Sequence, residues 1–342
     1  MRKSTVLQWS PHESDAFAIG AAENLKVYRF SSSERQSMSL LGGVPDVQQL
    51  RCVSWNPDPA QRWTFAIGTA SGKLVLHDCT PDTAGPTSAL CEFVPRSLRT
   101  CFSAAWNPSS PNLVAAGLDK VRSDFGVLVW DVRRGGSAGA GGGVSGQAGE
   151  PPAAQPRRSS GAADGFSSCL SFDVSAVGAT RTVEEPLAQL GNSEAAVSIA
   201  WAPASPSCLL SGTGFRWVRL YDLRSREAAN GAPVFSCHAH AKSVNGVSFD
   251  PFQEHRFVTH SDDPDGLIKG WDLRVLRDST PLFTISTSGA HSTGVDSGAR
   301  GAPIGRGGMN IAWCPTRRGL LSTLVEGSPT LCLWDVDRAL LR

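Results

Sequence analysis

The sequence predicts an all-β fold in which one small sheet is repeated along the chain. A Trp-x-Pro motif recurs at Trp9, Trp55, Trp106, Trp201 and Trp313. An aromatic variant of the motif begins at Phe249. About twenty residues after each motif comes an alternating apolar run, such as VLVWDVR at 127–133. Self-similarity at this spacing indicates a repeat architecture, and no segment shows the sustained periodicity of a helix.

Each unit divides into four predicted strands. The alternation in AAVSIAW (195–201) predicts a first strand, which ends at the proline because proline has no N–H for the ladder. A second strand of small apolar residues follows, such as FAIGT (65–69), and so little bulk indicates a crowded neighbour. After a turn rich in Gly, Asp and Ser, the aromatic run forms the third strand. The variable segment before the next motif supplies the fourth.

Four-stranded units that recur at about 45 residues and end in Trp-Asp resemble the WD-repeat β-propeller. In that fold, radial packing of the blades covers both faces of each sheet. We expect the Trp of each pair, such as Trp130, to fill the space between blades. We expect the Asp that follows to bond the backbone of the adjoining turn.

Six units are detectable, and we treat residues 1–342 as one propeller domain. The interval from Trp106 to Trp201 is 95 residues, and it contains a stretch at 134–168 rich in Gly, Ser, Ala and Pro. Such a composition buries too little apolar surface to offset its ordering entropy. We therefore predict disordered insertions at 134–168 and at 286–308. Because most propellers of this type have seven blades, we predict that the six units belong to an incomplete seven-bladed ring.

The composition argues against several classes of function. The formal net charge is +1 and no dense Lys/Arg run occurs, so we predict no binding to nucleic acid. No apolar run is long enough for a membrane span, and the N-terminus lacks the pattern of a signal peptide. Nine cysteines without a C-x-x-C pair indicate reduced thiols, buried mostly as small apolar side chains, and a cytosolic location.

No catalytic, cofactor-binding or metal-binding residues are predicted. Gly141-x-Gly143-x-x-Gly146 matches a dinucleotide-binding pattern, but it lies in the Gly-rich insertion with no helix after it. The CHAH stretch at 237–240 has no second ligand pair at zinc spacing, so we favour a structural hydrogen bond from His240. The SDDPDG stretch at 261–266 lacks the closing Glu of a calcium loop. We interpret it as a turn whose Asp residues are available to bond His240.

The hexapeptide DKVRSD at 119–124 is longer than an ordinary blade turn. Its acidic and basic side chains can pair with one another, which favours a solvated hairpin tip. The alternative is a partner-binding surface that includes Lys120, Arg122 and Asp124.

Several segments resemble, more specifically, the N-terminal propeller of the Mios ("missing oocyte") family. These are CEFVPRSLRTC (91–101), GLDKVRSDF (117–125), EEPLAQLGNSEAAVSIAW (184–201), VSFDPFQEHRFVT (247–259) and AWCPTRRGLLSTL (312–324). Generic WD repeats lack the GLDK-x-R-x-DF and WCPTR-x-GLL motifs. Because that family supplies scaffold subunits of the larger GATOR subcomplex, the resemblance implies a non-catalytic scaffold. It also implies positive regulation of TOR complex one in response to amino acids.

The resemblance further implies a hetero-oligomeric complex with protein partners, namely other GATOR subunits and nutrient sensors. That complex would lie in the cytoplasm and be recruited to the lysosomal membrane. Two other interpretations stay open. One is a different WD-repeat adaptor, for chromatin or a vesicle coat. The other is a propeller enzyme, which would need convergent carboxylates or histidines on the innermost strands, where we expect the apolar runs FAIG, LVAAG and LLSGT.

Overall fold

The described part of the chain forms six sheets in sequence order. The structure is a computed structural model, and it describes residues 5–21, 23–31, 37–80, 89–133, 180–261, 266–287, 309–325 and 330–340. Each sheet is one blade, which confirms the predicted all-β propeller with six repeats. The insertion predicted at 134–168 lies outside the described residues.

The strands have the following bounds. Blade one contains β1 (Thr5–Trp9), β2 (Ala16–Ala21), β3 (Asn24–Ser31) and β4 (Ser37–Val44). Blade two contains β5 (Leu50–Trp55), β6 (Thr64–Thr69), β7 (Leu74–Asp78) and β8 (Ala89–Phe93). Blade three contains β9 (Cys101–Trp106), β10 (Leu113–Leu118) and β11 (Phe125–Asp131), then, after a short strand β12 (Arg181–Val183), β13 (Ala188–Asn192).

The second half repeats the pattern. Blade four contains β14 (Ala196–Trp201), β15 (Cys208–Thr213), β16 (Trp217–Asp222) and β17 (Phe235–His238). Blade five contains β18 (Val244–Asp250), β19 (Gln253–Ser261), β20 (Leu267–Asp272) and β21 (Phe283–Ser286). Blade six contains β22 (Met309–Trp313), β23 (Leu320–Val325) and β24 (Leu331–Asp335). The helices described are single turns: α1 (Arg226–Ala229), α2 (Val336–Ala339) and 3-10 turns at Pro59–Gln61 and Leu276–Asp278.

One predicted boundary needs adjustment. Strand β21 includes Ser286, which pairs with Leu267 of β20, so sheet structure reaches into the insertion predicted at 286–308. Residues 288–308 lie outside the described part of the chain.

The first strand of each blade is the innermost. Strands β1, β5, β9, β14, β18 and β22 pack one against the next around the centre. The prediction that FAIG, LVAAG and LLSGT line the centre is therefore wrong, because these runs form second strands, including β10 and β15. Their small side chains serve a different purpose, which is to admit the first strand of the following blade.

Glycines in the second strands show how tight that contact is. A Cβ added to Gly117 would lie 2.7 Å from the carbonyl oxygen of Ala196, and one added to Gly212 would lie 2.8 Å from Val244. Gly20 is blocked in the same way by Leu50 of the next blade, and Gly68 is blocked both by Cys52 of its own blade and by Cys101 of the next blade. The crowded neighbour predicted from the small-residue runs is confirmed.

The Trp-Asp pairs have the predicted structural roles. Trp130 is fully buried and packs against Phe93 of blade two, with the ring centroids 5.4 Å apart. The carboxylate of Asp131 accepts a hydrogen bond from the backbone N–H of Arg133 at 2.9 Å. Asp222 and Asp272 cap their own turns in the same way.

Side chains of the first strands also bond across blades. The Ser54 hydroxyl accepts a hydrogen bond from the backbone N–H of Trp106 at 3.0 Å. The Ser103 hydroxyl likewise accepts from Ile199, and that of Ser198 accepts from Val247. These bonds fix the position of each innermost strand relative to its neighbour.

Strand β12 is a feature that the sequence did not reveal. It pairs in parallel with β8 and so adds a fifth strand to blade two, although it lies in the chain between two strands of blade three. The Arg181 guanidinium donates to the carbonyl of Val132, and the N–H of Val94 donates to the carbonyl of Val183. The strand therefore ties blades two and three together.

Two blade faces carry exposed apolar side chains. Trp9 of blade one is 54% exposed, whereas the equivalent Trp55 and Trp201 are buried by the preceding blade. On the opposite face of blade six, Leu331 and Leu333 are 60% and 62% exposed. These are the two faces that no described blade covers.

Candidate interaction surface

The turns between second and third strands, together with the links between blades, form one end of the propeller, called here the loop face. Backbone hydrogen bonds join each loop to the next around this end. The donor and acceptor pairs are Ala70 to Gln49, Arg99 to Ser71, Asp119 to Thr100, Ser193 to Asp124, Gly214 to Ala195 and Ala239 to Arg216. The loop face is thus a connected surface rather than a set of independent tips.

Asp124 is held inside this network. Its carboxylate lies 2.6 Å from the Arg99 guanidinium, and the Arg99 side chain is 4% exposed. Arg99 also donates to the carbonyl of Phe125. The predicted pairing of charges within the hexapeptide is therefore wrong for Asp124, because its partner comes from the link between blades two and three.

The pKa of the Asp124 carboxyl reflects this environment. Desolvation raises that pKa, but hydrogen bonds from the Phe125 N–H, the Ser97 side chain and Arg99 outweigh it, so the pKa lies below its ordinary value. Asp124 is ionised at neutral pH and compensates the buried charge of Arg99.

Lys120 and Arg122, in contrast to Asp124, face solvent. Both side chains are exposed on the tip of the turn, and the Asp119 carboxylate accepts a hydrogen bond from the Lys120 backbone N–H at 2.7 Å. The neighbouring Ser123 has a φ of 61° and its N–H bonds the Ser193 hydroxyl. The structure thus separates the three predicted contact residues into an internal Asp124 and two cations that face solvent.

Sequence reasoning missed other exposed residues on the same end. Leu98 and Phe215 are each 69% exposed, in the link before β9 and in the turn before β16. Arg96 and Arg216 are exposed beside them. The available signal was bulky residues where a solvated turn favours small polar ones, as in GFRW at 214–217.

The part of the loop face on blades one and two has a different character. Glu23 and Asp46 line a cleft there together with Val47, Gln48, Gln49 and Ser71. Asp46 and Gln49 have φ values of 56° and 53°. Exposed negative charge is therefore found at this side of the face, and exposed positive charge on the loops of blades two to four.

His240 makes the structural hydrogen bond that the sequence predicted. Its Nε2 lies 2.8 Å from the Thr259 hydroxyl, which also accepts from the Trp271 indole N–H at 2.9 Å. Burial, with nearby Lys269 and His260, lowers the pKa of His240 to about 3. His238 instead packs edge-on against Trp217. The aspartates at 262, 263 and 265 lie outside the described residues.

Two kinds of site are not found in the described ranges. No group of three or more His, Cys, Asp or Glu side chains there could hold a metal ion. Within the same ranges, no helix has the length and apolar character needed to cross a bilayer. The eight cysteines described are free thiols, and five of them are buried.

The six repeated sheets, the Trp-Asp wedges and the connected loop face define a WD-repeat β-propeller. The family model described as "MIOS, WD40 repeat" matches residues 29–137 and 170–340. The chain belongs to this family.

Curated relatives agree with that assignment. The GATOR2 complex protein MIOS of Dictyostelium discoideum is 33% identical over 89% of this chain and 25% of its own length. The Danio rerio protein of the same name is 29% identical, and MIOS-A of Xenopus laevis is 30% identical, each over 96% of this chain and 33% of the relative. The chain thus spans a quarter to a third of the length of these relatives.

A solved structure shares the fold. A chain in a crystal structure of the mitotic checkpoint complex superposes with a TM-score of 0.58 over 96% of this chain and 74% of its own length. Its sequence identity is 17%, so the likeness concerns the propeller fold alone.

Proposed function

We propose that this chain is a non-catalytic propeller module of a GATOR2-type complex that regulates TOR complex one positively in response to amino acids. The observation that carries the proposal is the family match over both halves of the propeller, together with relatives that are named as GATOR2 complex proteins. Its partners are other subunits of that complex and nutrient sensors, and the complex works in the cytoplasm and at the lysosomal membrane.

The innermost strands support a non-catalytic role. The six described first strands contain a single carboxylate, Asp250, and no histidine. The Asp250 carboxylate is buried and paired with Arg256, which also contacts Asp337 and lies over the Trp313 ring. A catalytic site in the centre would need convergent titratable groups, whereas this one neutralises a structural arginine.

Partner contact takes place at the loop face, with Lys120 and Arg122 as contact residues. Their exposure leaves them free to meet a partner, and the Arg99–Asp124 pair fixes the turn on which they stand. Asp124 is a positioning residue in this proposal. A turn held in this way loses little conformational entropy on binding.

The test is purification of the tagged protein from its own cells, followed by identification of co-purifying proteins. We expect subunits of a GATOR2-type complex to accompany the wild type. The double variant K120E/R122E should keep its melting temperature and lose at least one of them. Lys26, an exposed cation on β3 of blade one, provides the matched control K26E. Recovery of chromatin or vesicle-coat proteins in place of GATOR2 subunits would overturn the proposal.

We also propose that a seventh blade covers the exposed faces of blades one and six. The support is the apolar character of both faces, with Trp9 and Leu7 on one and Leu331 and Leu333 on the other. In the rest of the propeller, such side chains lie between blades. Contiguous apolar patches of this kind normally mark an interface.

A further inference from the structure

We propose that the loop face between blades two and four binds an acidic peptide segment that carries large apolar side chains. The inference rests on the proposed scaffold function and specifies the chemistry of a partner. The residues concerned, called here the basic–apolar surface, are Arg96, Leu98, Lys120, Arg122, Phe215 and Arg216.

Two large apolar side chains on this surface project into solvent. Leu98 and Phe215 are the most exposed of the large hydrophobic side chains described, at 69% each. They stand on loops that are joined through the 119–124 turn and the 193–195 link by backbone hydrogen bonds. Burial of such side chains by a partner contributes about 25 cal/mol per Å² of apolar area.

The charge of the surface is positive because Asp124 and Glu194 are ion-paired, which leaves Asp119 as the carboxylate of these loops without a cationic partner among the described residues. Asp124 neutralises Arg99, and Glu194 makes a two-point ion pair with Arg219. Asp119 is half-buried and caps the Lys120 N–H. Arg96, Lys120, Arg122 and Arg216 remain exposed, and none of them forms an ion pair with another described residue. A partner must therefore supply negative charge to complement them.

The backbone beneath Phe215 and Arg216 is held in place. The N–H groups of Phe215 and Trp217 both donate to the Thr213 hydroxyl. The Arg216 carbonyl accepts from the N–H groups of Ala239 and His240, and the Arg216 guanidinium lies over the Phe215 ring at 5.5 Å. The arrangement is preorganised, which lowers the entropic cost of binding.

Arg216 adopts a backbone conformation that is unfavourable for most residues other than glycine. Its φ is 75°, in the left-handed region where glycine is the least strained choice. An exposed arginine at such a position costs folding stability, and strain of this kind is concentrated at functional sites. A role in binding accounts for the strained arginine, whereas a solvated turn would be more stable with glycine.

A peptide fits this surface better than a membrane or a nucleic acid. The same face carries exposed Glu23 and Asp46 on blades one and two, which would repel an anionic bilayer or a duplex laid across it. A short extended peptide can occupy the positive side alone. Its aliphatic and aromatic side chains would also cover Leu98 and Phe215, which phosphate groups would not.

The experiment begins with a display library of short random peptides selected on the purified chain. We expect enrichment of peptides that combine Asp or Glu with Leu, Phe or a similar apolar residue. Enrichment of basic or uncharged peptides, or no enrichment over a blank surface, would overturn the inference. An enriched peptide is then labelled and its dissociation constant measured by fluorescence anisotropy.

Variants locate the binding surface. L98S, F215S and K120E/R122E should each raise the dissociation constant at least about tenfold. The matched controls L282S on blade five and K26E on blade one should leave it unchanged, because both side chains are exposed away from this surface. R216G should weaken binding while raising or preserving the melting temperature, a combination that a structural role would not give.

Competition distinguishes the class of ligand. If a single-stranded oligonucleotide or phosphatidylserine vesicles bind more tightly than the peptide and displace it, the surface is not a peptide site. The result of this peptide-binding experiment can also be distinguished from the result of the co-purification experiment that tests the proposed function. A protein that assembles with GATOR2 subunits yet rejects acidic peptides contradicts this inference alone, and one that binds such peptides without assembling contradicts the scaffold proposal alone.

Discussion

At the residue scale, Trp130 lacks a hydrogen bond that the equivalent tryptophans of blades five and six make. In blades five and six, Thr259 and Thr323 accept the indole N–H of Trp271 and Trp334, each at 2.9 Å. In blade three the equivalent position is Ala116, and the buried Trp130 N–H has no partner among the described residues. An unpaired donor in a dry core costs free energy.

We therefore predict that A116S stabilises the protein. The new hydroxyl should accept the Trp130 indole N–H and raise the free energy of unfolding by about 1 kcal/mol. Urea denaturation followed by tryptophan fluorescence measures the change. The matched control is A115S on the opposite face of β10, where a buried hydroxyl should lower stability. Equal effects of the two substitutions would contradict this explanation.

His240 sets a pH dependence at the same scale. Its pKa is about 3 in the folded protein and about 6.5 when unfolded, so the unfolded state binds more protons below pH 6.5. The stability that comes from keeping His240 neutral is therefore complete above about pH 6.5 and is lost as the pH falls towards 3. His77, whose pKa burial lowers to about 4, acts in the same direction.

We predict that the free energy of unfolding is about 2 kcal/mol lower at pH 5 than at pH 7 on account of His240. Urea titrations at the two pH values measure it. In H240N this part of the difference should disappear, whatever the absolute stability of the variant. If H240N shows the same difference in the free energy of unfolding between pH 5 and pH 7 as the wild type, His240 is not the source of that difference.

At the element scale, the second strands illustrate packing that tolerates no added atom. Gly117 of β10 faces the backbone oxygen of Ala196 on the first strand of blade four, and this oxygen cannot move without disturbing β14. The runs of small residues are therefore a condition for neighbouring blades to approach. This explains why runs poor in bulk recur at the same position of each repeat.

We predict that G117A lowers the free energy of unfolding by about 1–3 kcal/mol, because the added methyl group overpacks the contact between blades. Thermal or chemical denaturation measures the loss. G214A is the matched control, since its Cβ would lie 3.3 Å from the Ala195 side chain at an exposed turn. A loss in G214A as large as that in G117A would point to backbone effects of glycine rather than to overpacking.

At the scale of the whole molecule, the exposed faces of blades one and six test the proposed seventh blade. We predict that L333K changes the stability of the 342-residue chain little, since Leu333 is 62% exposed in it. In a form of the protein that contains the proposed seventh blade, the same substitution should cost about 2 kcal/mol or more, because a lysine would be buried under that blade. Denaturation of both forms, with L282K as an exposed control on blade five, decides it. Equal small effects in both forms would mean that no blade covers this face.

The sequence alone determined the repeat, the strand order within each blade and the family. Those properties depend on local signals, namely the Trp-x-Pro strand ends, the Trp-Asp pairs and the small-residue runs, and each repeat carries its own copy. Burial of Trp130 and the hydrogen bond of His240 could be predicted because the side chains of a repeated fold keep the same environment.

Only the tertiary structure decided which strands lie innermost and which charges are free. Arg99 and Asp124 are 25 residues apart, so their ion pair cannot be inferred from the spacing of the hexapeptide. Strand β12 is three residues long and gains its stability from the edge of another blade. Leu98 and Phe215 lie on one face only because hydrogen-bonded loops connect separate repeats, and contacts between repeats leave no mark in the pattern of any single repeat.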